Sequence, residues 1–294
     1  SRYKFNLYSD FTFFLNDPVN GDEINQAEER NAYGYLSKYD HKSTVGSVNL
    51  HSIYGAGFRY DATHNSKLAH VVKRKFLNYY KLGNIKEANA FAFTDQQFTM
   101  GKFLLDAGIR FDYFHSDYFD KLSAIQNPAR SESIVSPKLN IQYTLNSKVQ
   151  FYVKSGKGFH SNDTRVVVEN NGRQILPAAY GTDIGIILKP ADRLLINVAA
   201  WYLYLQQEFV YVGDDGNIEP SGKTRREGID IIGRYQFTNH HLGNVNVNFT
   251  KPRAIGDEKG EDYIHLATVE TSTDRQSYKE TEGLHGSITC RTDK

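Results

Sequence analysis

Apolar and polar residues alternate one by one along most of this chain, in stretches separated by turns. From Phe103 onward, Leu105, Ala107, Ile109, Phe111 and Tyr113 hold one set of positions, and Asp106, Gly108, Arg110 and Asp112 the other. Leu139, Ile141, Tyr143 and Leu145 alternate in the same way with Lys138, Asn140, Gln142 and Thr144. Successive side chains of a strand point to opposite faces, so the pattern predicts an antiparallel sheet with one apolar and one hydrated face. A wet face of Lys, Arg, Asp and Gln opposite a face of Ile, Tyr and Phe fits a closed barrel with lipid outside.

The predicted elements begin with a strand over 3–15, a polar segment over 16–30, and a returning strand through Tyr33, Tyr35 and Tyr39 to a turn near His41-Lys42. A long glycine-bearing strand covers 45–60, and 61–86 fits either one long loop or a further hairpin through Phe76 and Leu77. Strands over 88–98 and 103–114 follow, then a loop to 133, and strands over 138–145 and 149–156 around Asn146-Ser147. A loop over 158–179 leads to strands over 183–188 and 194–205, joined by Lys189-Pro190-Ala191-Asp192. A loop over 206–226 and strands over 228–237 and 244–249 complete the set, with a charged loop over 251–262. About twelve strands thus alternate short turns with long loops, the habit of an outer-membrane barrel. A soluble sandwich or propeller has no reason to alternate loop lengths so regularly.

Composition narrows the picture. The chain has 294 residues, a formal net charge of +1, 20 Tyr and 18 Phe against one Trp, and a mean hydropathy of -0.55. A charge this close to zero argues against a general nucleic-acid binder, which carries a basic stripe. The low hydropathy is compatible with a barrel, in which half of each strand and nearly all loop residues meet water. No stretch reaches the roughly 18 consecutive apolar residues of a spanning helix. The single cysteine, Cys290, excludes an internal disulfide framework. Ser1-Arg2-Tyr3-Lys4 opens directly into a strand with no secretory leader, which points to a removed leader or a piece of something longer.

Several segments resemble one family, the TonB-dependent outer-membrane receptors. Ser136-Pro137-Lys138-Leu139 running to Gly156-Lys157-Gly158-Phe159 is similar to a barrel hairpin of that family, with its Ser-Pro-Lys/Arg start and Gly-Lys/Arg-Gly-Phe end. Leu176-Pro177 through Gly185 resembles the next strand, with Asp183 where the family more often has Glu. Trp201-Tyr202 to Val212, Pro220 through Ile229, and Ala107 through Asp112 are similar to further hairpins and strands. The resemblance implies an all-β, antiparallel transmembrane barrel, of which this chain is a part, since the family's barrel has about 22 strands. The family's plug domain, coupling box and terminal aromatic are not visible. The expectation is therefore one partial barrel domain over 1–294, divergent over 268–294, where Thr271 to Gln276 reads as loop. A complete, smaller barrel of about twelve strands is the competing reading.

By the same resemblance the chain belongs to a receptor of the Gram-negative outer membrane that takes up a scarce nutrient, with an iron chelate of siderophore type leading. Uptake is energised by a TonB-type coupling protein that engages only the absent plug, so this chain alone is not expected to perform it. The partners implied are the lipid bilayer and a small-molecule chelate, with no nucleic acid, cofactor or resident metal. The resemblance places ligand contact in the outer loops. His160, Arg165 and Arg173 lie in one such loop, and Tyr211 and Arg225 in another; cationic and aromatic groups suit an anionic chelate. No catalytic motif is present, and the chain reads as no enzyme. The pair Ser155 and His160 is the one hint of a barrel-embedded hydrolase, the alternative along with a channel, an adhesin or a soluble all-β binder. His240-His241 and Asp214-Asp215-Gly216-Asn217 read as plain turns. Arg2, Lys4, Lys154 and Arg234 are expected to line the lumen, and Tyr113, Phe114, Tyr143, Phe159, Tyr180 and Phe237 to form interfacial girdles.

Overall fold

The computed structural model describes residues 1–162, 164, 175–207, 209–212, 217–220, 222–256, 262, 270–279 and 285–293. The elements defined among the described residues are strands: β1 (Arg2–Ser9), β2 (Ile24–Val45), β3 (Val48–Val72), β4 (Lys75–Met100), β5 (Phe103–Asp120), β6 (Ile125–Gln126), β7 (Arg130–Asn146) and β8 (Val149–Phe159). They continue as β9 (Ala178–Ala191), β10 (Leu194–Leu205), β11 (Phe209–Val212), β12 (Asn217–Pro220), β13 (Lys223–Gln236), β14 (His241–Ile255), β15 (Glu270–Lys279) and β16 (His285–Asp293). One 14-stranded antiparallel sheet runs as a meander in chain order, with β6 on β5 and a separate β11–β12 hairpin. Among the described residues no pairing joins β1 to β16, so the sheet is open.

The alternation sorts the two faces as expected. Leu105 pairs with Ile141, Phe111 with Val135 and Ile231 with Val247 on the outward face. Asp106 pairs with Asn140 and Asp230 with Asn248 on the inward face. The outward face leaves Ile109, Leu139, Ile184 and Ile229 at 49%, 45%, 59% and 47% exposure, an apolar surface that water would penalise and lipid accepts.

Glycines fit the inward face to its rings. A Cβ at Gly55 or Gly57 of β3 would collide with Phe93 or Phe91, the residues paired with them on β4. Tyr152 covers Gly185 and Trp201 covers Gly228 in the same manner. Each ring lies on bare backbone of the neighbouring strand, which keeps aromatic area out of lumen water.

Several boundaries differ from expectation. β1 stops at Ser9 because the 10–23 segment is folded by its own carboxylates: Asp22 accepts from the amides of Asn16 and Asp17 and from the Thr12 hydroxyl, and Asp17 accepts from the amides of Val19 and Asn20. The first turn sits at Gly46-Ser47, not His41-Lys42, since Gly46 takes the left-handed φ of 62° that a two-residue hairpin demands. Residues 61–86 are a hairpin: β3 runs on to Val72, Lys73 and Arg74 turn with φ of 47° and 63°, and β4 returns. β5 runs on to Asp120 and β7 starts at Arg130, so the loop expected over 115–133 is shorter. Thr271 to Gln276, read as loop, belong to β15; backbone pairing with β14 needs no alternation of side chains. At 22, 25 and 26 residues, β2, β3 and β4 far exceed the roughly 9–11 residues that cross a bilayer. Their ends at the 73–74 turn therefore stand clear of any membrane.

The register of β1 on β2 also corrects the placement of Arg2 and Lys4. They lie on the outward parity, where both pair with Glu29 (3.3 and 2.5 Å), while Tyr3 and Phe5 share the inward parity with Arg30 and Glu28. β1 pairs only with the upper end of β2, where both faces meet water and parity need not separate polar from apolar. Lys154 and Arg234 do take inward positions, paired with Asn140 and Asn244.

Candidate functional site

At the long-loop end, the inward face carries two adjacent rows. Arg59, Asn89, Phe114 and Glu132 pair in register across β3, β4, β5 and β7, and Asp61, Glu87, Ser116 and Arg130 form the next row. Period-two alternation carried past Tyr60 as far as Thr63, before the register shift between Thr63 and Ser66, places them there. Arg59 holds Asp61 Oδ2 at 2.8 Å, and Arg30 from β2 holds Glu28 Oε1 at 3.0 Å.

The described residues between β8 and β9, 160–162, 164 and 175–177, form a strap that lies against these rows. Its two arms are tied together by His160 N–H to Pro177 O (3.2 Å) and Asn162 N–H to Ile175 O (2.9 Å). Glu132 accepts from the amides of Ile175 (2.9 Å) and Leu176 (3.3 Å), and Thr164 donates its hydroxyl to Glu87 Oε1 at 2.6 Å. Ile175 and Leu176 bury themselves against Ile134, Phe114 and Phe159. Phe114 and Phe159 thus leave the expected girdle and pack inward, edge to face at 5.6 Å; Tyr113 and Tyr180 remain outside. Phe114 has inward parity, and Phe159 ends its strand, where it is free to lean over the rim.

Strap and rows enclose a cavity of about 330 Å³ lined by Arg30, Arg59, Asp61, Glu87, Asn89, Phe114 and Ser116, with Ser161, Asn162 and Ile175 from the strap. Asp61 is 6% exposed, and its Oδ1 has no hydrogen-bond partner among the described residues. A buried carboxylate oxygen without a donor costs free energy, so a polar group entering the cavity is favoured there. Below the cavity the lumen wall is closed by ion pairs. Arg110 grips Asp112 through two bonds of 2.7 Å and lies over Phe91 at 4.0 Å, and Lys138 spans Asp95 (2.6 Å) and Asp106 (3.3 Å).

Of the loop residues singled out from sequence, His160 is exposed at the start of the strap. Arg225 is exposed on the outward parity of β13, paired with Tyr204 and Arg253. Tyr211 lies in β11, with only its backbone described, and Arg165 and Arg173 lie outside the described residues, as do 213–216. Ser155 Oγ lies 3.0 Å from Thr182 Oγ1 on the outward parity. His241 closes a plain turn onto Thr238 at 2.9 Å. Arg30, Asp61 and Glu87 escaped sequence reading because their neighbourhood looked like loop, and Arg59 because nothing local marks this residue of the expected 45–60 strand as part of a site, although Arg59-Tyr60-Asp61-Ala62-Thr63 keeps the strand alternation.

A greasy outer face, a charged inner wall and a strapped cavity at the long-loop end define a receptor-type outer-membrane barrel. The chain belongs to the TonB-dependent receptor β-barrel family, whose model matches residues 1–281. That family is one of Gram-negative outer-membrane receptors and transporters rather than enzymes, and its members bind small chelates and TonB. Similar solved structures include the unliganded ferric citrate transporter FecA (15% identity over 88% of this chain and 41% of that one, TM-score 0.71). BauA, the ferric preacinetobactin receptor of Acinetobacter baumannii, is also similar (11% identity, 99% and 48%, TM-score 0.74). So is Fiu, the ferric-catecholate import receptor of E. coli K12 in its closed form (15% identity, 99% and 48%, TM-score 0.70). The chain spans less than half the length of each. No curated protein matches the chain.

Proposed function

We propose that this chain forms part of the barrel wall of a receptor in the Gram-negative outer membrane, which captures an iron chelate at the strapped cavity. The carrying observation is Asp61 Oδ1, a buried acceptor without a partner among the described residues, in a cavity that opens at the loop end. The guanidinium groups of Arg30 and Arg59 offer planar forks to carboxylate or phenolate oxygens of a chelate. Asp61 and Glu87 accept from its hydroxyl or amine groups. His160, Arg165, Arg173 and Tyr211 would draw the chelate in from the loops. Iron is favoured as cargo by three similar structures that are themselves named for ferric chelates. Uptake is energised through a TonB-type complex, as in the family.

In this mechanism the strap is a cover. Glu132 anchors one arm and Glu87 the other, so an arriving chelate exchanges the Thr164–Glu87 bond for its own donors. Chelate binding by the receptor carrying this barrel tests the proposal. Arg30→Ala with Arg59→Ala should weaken binding about tenfold or more, one or two charged hydrogen bonds' worth, while Lys154→Ala should leave it unchanged. Unaltered affinity in the double variant sinks the assignment.

A further inference from the structure

Above the apolar band of the outward face, the register gathers one row across five strands: Lys157, Tyr180, Tyr204, Arg225 and Arg253. Beneath it lie Ser155, Thr182, Tyr202, Glu227 and Lys251, and beneath those an all-apolar row of Val153, Ile184, Ala200, Ile229 and Phe249. The step from the apolar row to a cation takes four residues on β8 (Val153 to Lys157) and β13 (Ile229 to Arg225) and two on β14 (Phe249 to Lys251), while β9 and β10 place Tyr180 and Tyr204 at that height. Strand ends near loops are wet on both faces, so scattered charges there need no explanation. The inward row at the same height is different, however: Gly156, Gly181, Leu203, Arg226 and Pro252 carry a single cation. The concentration of positive charge belongs to the outward face alone.

Its charges are also available. Lys251 faces Glu227 at 3.5 Å and Arg253 faces Asp262 at 3.3 Å, whereas Lys157 and Arg225 have no ion-pair partner among the described residues. Tyr180 and Tyr204, with ring centroids 6.1 Å apart, stand between them. Tyrosine at this level places its ring in the acyl boundary and its hydroxyl among headgroups. Long cationic side chains just above it extend into the headgroup layer.

We propose that this row is a headgroup site for phosphorylated lipids of the outer leaflet. Arg225 supplies a fork that matches a phosphate, Lys157 a point charge, and the two tyrosines hydroxyl donors between them. Lys157 and Arg225 are separated by three inter-strand steps, roughly 14 Å, so they grip separate phosphates. The proposal rests on the membrane reading of the barrel, and it assigns Arg225 to lipid instead of chelate.

The test uses the receptor carrying this barrel, reconstituted in bilayers of phosphatidylglycerol and phosphatidylcholine, with retained lipids counted by native mass spectrometry. A cation near an anionic surface favours binding about fivefold, so Lys157→Gln with Arg225→Gln should lower the phosphatidylglycerol preference about 25-fold. Lys157→Arg with Arg225→Lys should keep it, and the inward pair Lys154→Gln with Arg234→Gln should not change it. Millimolar inorganic phosphate should fail to displace the lipid; complete displacement would mark a free-anion site and overturn the proposal. Equal preference in the outward and inward double variants would overturn it too. A protein that never enters the bilayer would instead sink the membrane reading itself.

Discussion

Ile141→Arg puts the lipid-facing assignment at risk most directly. Ile141 is on the outward parity of β7, flanked in register by Leu105 and Val153, and keeps 40% of its surface exposed. It sits five residues before the end of β7 at Asn146. At about 3.4 Å per residue and a tilt near 40°, that is roughly 13 Å along the membrane normal, half of a band about 25 Å tall. The guanidinium of an arginine there is too short to reach water at either side, so the substitution should cost about 2–4 kcal/mol. Gln142, the next residue, pairs with Tyr152 on the inward face and already meets lumen water, so Gln142→Arg should cost within about 0.5 kcal/mol. Equilibrium urea unfolding in phosphatidylcholine bilayers, followed by far-UV circular dichroism, reads both. Equal costs at the two positions would refute the reasoning, because adjacent residues differ here only in the face they present.

Three further outcomes follow from the inner wall and the loops. Gly55→Ala should destabilise by about 1–3 kcal/mol through its collision with Phe93, and much less in a Phe93→Ala background; an additive double-mutant cycle would show that the ring does not rest on the glycine. Asp112→Asn, at a fully buried carboxylate gripped by Arg110, should cost about 2 kcal/mol, reduced from a fully buried pair because the arginine is partly hydrated; a change under about 0.5 kcal/mol in the same unfolding assay would dismiss the grip as incidental. Burial pushes the Asp22 carboxyl up, but the amides of Asn16 and Asp17 and the Thr12 hydroxyl outweigh it and hold the group below its ordinary 3.8. Its contribution is therefore present above that value and lost as pH falls through the depressed one, so amide protection of Asn16 and Asp17 should collapse below about pH 4. Asp22→Asn should remove that pH dependence, and protection already lost above the ordinary carboxylate range would contradict the sign.

The two-faced sheet was legible because strands with one apolar and one hydrated face meet two different media, and a one-residue error there is costly. Leu105 to Tyr113 and Leu139 to Leu145 are therefore written in strict alternation, and their faces are those observed. Above the bilayer the constraint lapses. Arg2, Lys4, Tyr3 and Phe5 all meet water whichever way they point, so parity there cannot be read from polarity. β15 is written almost wholly in polar residues, so its sequence has no alternation to read. The cavity was harder still, because it depends on a strap that returns through Glu132 and Glu87, residues 43 and 77 positions from their partners. No local pattern encodes such a meeting. What the sequence does carry is the alternation through Arg59 and Asp61, which places them on the wall without revealing what covers them.

The rings that lie over glycines bear on how the wall assembles. Sliding one strand past its neighbour by a single residue exposes every misplaced side chain to the wrong medium, and lipid itself rejects the error. A slide by two residues escapes that inspection, because lipid-facing groups still face lipid and wet groups still face water. Tyr152 over Gly185 and Trp201 over Gly228 act as keys in slots. After a two-residue slide, the bulk of Tyr152 would meet Asp183 or Ile187 instead of a gap. Membrane and water choose the face, while aromatic-to-glycine fit chooses among the positions that both solvents find equally acceptable.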